Sequence, residues 1–110
     1  MNNWFPGMLL DADSRYAEKS VALLAARAKR AMFEFVPFRT NWQEAERVYR
    51  AMSYGPLLEI LLLDERSYRG RNTPNRQSAP TADTVMLGGT QIEWLKARLL
   101  ASRATWKVIA

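Results

Sequence analysis

Polar and apolar positions alternate along the chain in two distinct periods. Val21, Leu24, Ala25, Ala28, Met32, Phe35 and Val36 recur at helical spacing, with Arg27, Lys29, Arg30 and Glu34 falling mostly on the opposite side. This predicts an amphipathic helix lying on a core. Ser20 or Ser14 is placed to cap its start, and Pro37 forces a stop near Val36. Residues 47–54 alternate loosely, with Val48, Met52 and Tyr54 on one side, which predicts a strand exposed on one face. After the break at Gly55-Pro56, residues 57–63 are almost wholly apolar. A run of that length suits a strand buried on both faces, with Glu59 near a strand end or paired.

Residues 70–84 carry almost nothing apolar and predict a long, mobile loop. A second helix is expected over "MLGGTQIEWLKARLLASR". Thr90 and Glu93 have the spacing of a capping box. Ile92, Leu95 and Leu99 form its apolar stripe, with Trp94 and Leu100 beside it, and Glu93 and Lys96 can pair one turn apart. "TWKVIA" then begins another strand. Residues 1–14 read as a loop whose aromatics tuck against something. The order helix, strand, strand, loop, helix, strand predicts a mixed α/β layer. An apolar strand without a closing element at one end, and an aromatic loop with nothing before it at the other, lead to the expectation that the chain is an internal piece of a larger domain.

Composition narrows the chemistry. The 110 residues suit one small domain, 48% hydrophobic and 25% charged. Without cysteine there are no disulfides or thiolate metal sites, and without histidine the usual general base near neutral pH is missing. The net charge of +5 owes much to arginines between Arg66 and Arg76. One reading of that excess is a small basic module contacting nucleic acid or an acidic partner, although a dedicated binder is expected to cluster its charge on one face. No apolar run is long enough to span a bilayer, and no secretion signal is visible, so the expected location is cytoplasmic. Phosphate-loop, dinucleotide and His-Glu-x-x-His motifs are absent. "MLGGT" ahead of a helix places backbone amides where an anion could sit, but a lone Gly-Gly reads first as a simple helix entry.

Several phrases together resemble the alkaline phosphatase D family of metallophosphoesterases: "YGPLLEILLLDERSYRG", then "NRQ", then "MLGGTQIEWLKARLLASRATWKVIA". "NNW" resembles the residues just after that family's Trp-Asp-Asp-His-Glu motif, and "ARAKRAMFEFVPFR" resembles its next helix. The strand tail Asp64-Glu65-Arg66-Ser67-Tyr68-Arg69 and the helix start Leu87-Gly88-Gly89-Thr90-Gln91-Ile92-Glu93-Trp94-Leu95 are specific in combination. The resemblance covers nearly the whole chain.

It implies a calcineurin-like sandwich of mixed sheets flanked by helices. In intact relatives it implies hydrolysis of phosphate esters by two or more metal ions, of calcium and iron type, and export to the periplasm or cell surface. It also implies that the metal ligands lie in segments this chain lacks, so that the chain alone is expected to be inactive and to bind no metal. Asn2 and Asn3 are then expected beside the metal site, as donors or as turn formers. Asp64, Arg66 and Arg69 match the strand tail, either facing phosphate or forming an ion-pair knot that braces the loop. The apolar sheet edges lead to an expectation of self-association.

Overall fold

A computed structural model describes residues 2–40, 42–74 and 76–110. Helix α1 spans Val21–Phe35, as the periodicity predicts. Ser20 caps it: its backbone is extended and its Oγ accepts from the Leu23 amide at 3.3 Å. Val36 ends it in an extended conformation, as a residue before proline must. The inward face differs from the expected stripe. Val21, Leu24, Ala25, Met32 and Phe33 turn inward, whereas Phe35 and Val36 are exposed. Beyond Pro37 the chain folds back, so that Phe38 meets Phe33 edge-on at 6.0 Å. The Arg50 guanidinium lies over both rings, at 4.4 Å from Phe38 and 5.7 Å from Phe33.

Strands β1 (Arg50–Tyr54) and β2 (Leu58–Leu62) form an antiparallel hairpin with Met52 opposite Ile60. Strand β3 (Trp106–Ile109) runs parallel to β2 on its other side, with Val108 beside Ile60. The sheet order is β1-β2-β3. A parallel neighbour demands a crossover, and helix α2 (Gly89–Ala101) lies within it. Strand β1 is shorter than the expected 47–54. The Arg50 side chain takes the carbonyls of Arg47 and Val48, at 3.0 and 2.9 Å, which caps that lead-in instead of pairing it.

Burial along β2 alternates. Glu59 and Leu61 are buried, while Leu58, Ile60 and Leu62 are half-buried, so one face is covered closely and the other only in part. The expected burial on both faces is therefore corrected. Glu59 is paired, with the Arg98 guanidinium of α2.

The start of α2 is not a capping box. Its N-cap is Gly88, at φ 76, and Thr90 already lies inside the helix. Gly88 cannot be replaced cheaply, because a Cβ there would stand 2.9 Å from the Tyr68 Cβ in addition to the unfavourable φ. The Glu93–Lys96 pair forms at 2.9 Å. The inward face of α2 is Gln91, Trp94, Leu95, Arg98 and Leu99, while Ile92 and Leu100 are exposed. Tyr49, 4% exposed, ties the layers together through the rings of Trp94 at 5.0 Å and Tyr68 at 5.8 Å.

The N-terminal segment packs beside the start of α1 through a bridge between Leu9 and Ser20, which buries Leu10. Among the described residues no helix is long and apolar enough to cross a membrane.

Much apolar surface stays open. Phe35, Trp42, Tyr54, Leu100 and Trp106 are all exposed. The accessible area is 8463 Å², against about 6,200 Å² for a closed domain of this mass. The radius of gyration is 16.5 Å, against about 13 Å for a compact chain of this length.

Candidate functional site

The charged tail of β2 begins at Asp64, which is 7% exposed. Its Oδ1 accepts from the amides of Arg66 at 3.0 Å and Ser67 at 2.8 Å, a turn that carboxylates favour. Its Oδ2 has no hydrogen-bond partner and faces Lys29 Nζ of α1 at 3.8 Å. Burial opposes ionisation of Asp64, but the Ser67 side chain and amide, the Arg66 amide and Lys29 outweigh it. The carboxyl is held below its ordinary range.

The turn sends the Arg66 guanidinium towards Asn3, whose Oδ1 lies 3.5 Å from both terminal nitrogens. Asn3 has a positive φ of 53, which asparagine tolerates, and its amide donates to Asn2 Oδ1 at 3.0 Å. Arg69 donates to Asn72 Oδ1 at 2.8 Å, and Asn72 Nδ2 donates to the Asn3 carbonyl at 2.9 Å. Asn2, Asn3, Arg66 and Arg69 thus meet on one edge, with Asp64 buried behind them.

The ion-pair knot expected between Asp64 and Arg66 or Arg69 does not form. Arg66 offers Asp64 its backbone amide, Arg69 turns to Asn72, and the cation facing Asp64 is Lys29. Lys29, which helical spacing puts on the polar side, is half-buried. Lys29 and Asn72 are the residues that pattern reading misses. Neither carries a local signal, since each acquires its role from a partner distant in sequence.

The loop after this tail is closed at its base. The Gly70 amide donates to the Val85 carbonyl at 2.7 Å, and Arg71 pairs with Asp83 at 3.0 Å. Gly70 is needed for this approach, because a Cβ would lie 2.5 Å from the Ala82 carbonyl oxygen. Of the four arginines between 66 and 76, Arg69 and Arg71 make close contacts within the chain and Arg66 makes only long ones.

Chemically, the edge offers amide oxygens and guanidinium donors. The long contacts of Arg66 leave its fork able to take an oxyanion. Metal-binding capacity is another matter. The chain has no histidine or cysteine, and among the described residues no three acidic side chains come together as a possible metal site. A two-metal centre needs several such ligands, so these residues do not fit one by themselves.

Comparison with known proteins converges. The family model described as PhoD-like phosphatase matches residues 1–110. Alkaline phosphatase D of Bacillus subtilis (strain 168) is 29% identical over 119 residues, covering 91% of this chain and 20% of that protein. A solved structure of PhoD superposes with a TM-score of 0.65 at 26% identity, covering 98% of this chain and 22% of the other. The chain spans about a fifth of the length of the relatives it matches.

Proposed function

Because the chain belongs to the PhoD-like phosphatase family, we propose that it supplies one part of a metal-dependent phosphate-ester hydrolase domain and is inactive alone. Its mixed three-stranded sheet and two helices are a portion of the calcineurin-like fold of PhoD. The observation that carries the proposal is the match along nearly the whole chain to about a fifth of each relative. In this reading the metal ligands come from segments outside the chain, because the side chains of its described residues do not assemble a centre.

Asn2, Asn3, Arg66 and Arg69 then form the border of the catalytic centre, with Asp64 as the buried brace. Arg66 is the residue best placed to meet a substrate oxyanion, since its guanidinium makes only long contacts to Asn3. The loop that follows is anchored beside this border by the Gly70–Val85 hydrogen bond and the Arg71–Asp83 pair. The basic-module reading finds no comparable support in the comparisons, which all point to phosphatases.

The adjoining DNA tests the proposal. Open frames encoding Asp-Asp-His-Glu on one side and Gly-Asp-x-His on the other support it, and neighbouring frames without them contradict it.

The open edges of β1 and β3 add a second consequence. Strands with unpaired backbone and exposed Tyr54, Trp106, Val108 and Ile109 favour pairing with another copy. Sedimentation velocity of the purified chain is expected to show mass rising with concentration. A monomer at every concentration would remove self-association from the account.

A further inference from the structure

The most buried polar side chain among the described residues is Gln91, at 1% exposed, and it faces the point where β2 stops. Its Oε1 accepts from the Asp64 amide at 2.7 Å, and its Nε2 donates to the Asp64 carbonyl at 3.0 Å. The same Nε2 donates to the Leu87 carbonyl, one turn back, at 2.7 Å. One side-chain amide thus satisfies both backbone groups of a single residue, as a neighbouring strand does. Only a primary amide carries a donor pair and an acceptor side by side.

We infer that Gln91 is a positioning residue, a one-residue substitute strand that fixes Asp64 and through it the direction of Arg66. The chain of contacts is continuous. Gln91 holds the Asp64 backbone, Asp64 Oδ1 holds the amides of Arg66 and Ser67, and that turn delivers the Arg66 guanidinium to Asn3. The Leu87 bond ties the clamp to the start of α2, so the helix and the charged edge are set by one group. The bearing of this clamp on catalysis rests on the reading that the Arg66–Asn3 edge borders the phosphate-ester site. The clamp itself does not.

The test is amide hydrogen exchange by NMR on the 110-residue chain and two variants. In Gln91→Leu, protection of the Asp64, Arg66 and Ser67 amides is expected to fall about tenfold or more while that of Leu61 changes far less. Contacts between the Arg66 and Asn3 side chains are expected to weaken in the same variant. Gln91→Glu separates positioning from bulk. Its ionised carboxylate faces the Asp64 and Leu87 carbonyls without a donor, and its protonated form regains one. Protection at Asp64, taken relative to the unsubstituted chain at the same pH to cancel the titrations of Asp64 and Glu59, is therefore expected to recover as pH falls. Unchanged Asp64 protection in Gln91→Leu overturns the inference, as does an equal loss at Leu61 and Asp64. If Gln91→Leu does not fold, pH-independent protection at Asp64 in Gln91→Glu overturns it. None of these readings depends on phosphatase activity, so loss of the functional proposal leaves them standing.

Discussion

Tyr49→Ala is expected to unfold the chain at room temperature. Tyr49 is one of four buried hydrophobic residues among those described, with Leu10, Val21 and Leu61. Its ring touches Trp94 of α2 and Tyr68 of the segment after β2, and the Arg47 guanidinium lies over it at 5.0 Å. Removing a large buried aromatic side chain costs about 3–5 kcal/mol. A compact domain has about 5–15 kcal/mol in total, and a chain with this much open surface sits towards the lower end. The loss also falls where three segments meet, so no single element can repack around it. Tyr49→Phe keeps the ring contacts and is expected to fold. Far-UV circular dichroism against temperature measures both. A cooperative transition in Tyr49→Ala at the midpoint of the unsubstituted chain would show that the ring cluster is not the junction of the fold.

Arg98→Leu is expected to produce the second largest loss. It leaves the Glu59 carboxylate, 5% exposed, without its cation. Breaking a fully buried pair costs about 3–5 kcal/mol, and because the Arg98 side chain is 43% exposed, solvent screening reduces this to about 2 kcal/mol. The effect has a pH signature. The Ser102 hydroxyl and the Arg98 guanidinium hold the Glu59 carboxyl below its ordinary value of 4.5, against the opposing effect of burial. A carboxyl depressed in the folded state binds fewer protons there than when unfolded, so its contribution is present above the unfolded value and lost as pH falls through the folded one. Asp64, depressed from 3.8, acts in the same direction. Urea midpoints of the unsubstituted chain are expected to fall as pH drops below about 4.5. In Arg98→Leu the midpoint at neutral pH is lower and the acid-side fall smaller. Adding Glu59→Gln to Arg98→Leu recovers part of the loss, because the unpaired charge is gone. An unaltered pH profile in Arg98→Leu would mean that the pair contributes nothing.

Much of the fold was legible in the sequence, and the gaps share one cause. Helical spacing located α1, Ser20 and Pro37 bounded it, and the apolar run after Gly55-Pro56 located β2. The phase of each helix was harder. Phe33 takes the inward place expected of Phe35 because Phe38 and Arg50 come to meet it, a contact no local pattern encodes. On α2, Ile92 of the expected stripe is exposed and Gln91 takes the inward place beside it. The inward face contains two polar residues, Gln91, which bonds the backbone of Asp64, and Arg98, which pairs with Glu59 of β2.

The edge residues were legible in a different way. Asn2, Asn3, Asp64, Arg66 and Arg69 were singled out by resemblance to a family, not by spacing, and the fold brings them together. Their partners were not legible. Asn3 and Arg66 are 63 residues apart, and Lys29 meets Asp64 from the distant helix α1.

The central claim is that this chain is a structural part of a PhoD-like domain whose chemistry needs side chains it does not carry. The direct measurement is hydrolysis of an aryl phosphate by the purified, folded chain with Ca²⁺, Fe³⁺ or Zn²⁺ added, against a heat-denatured control. The account predicts no metal-dependent turnover above that control. Metal-dependent turnover by the folded 110-residue chain would contradict it.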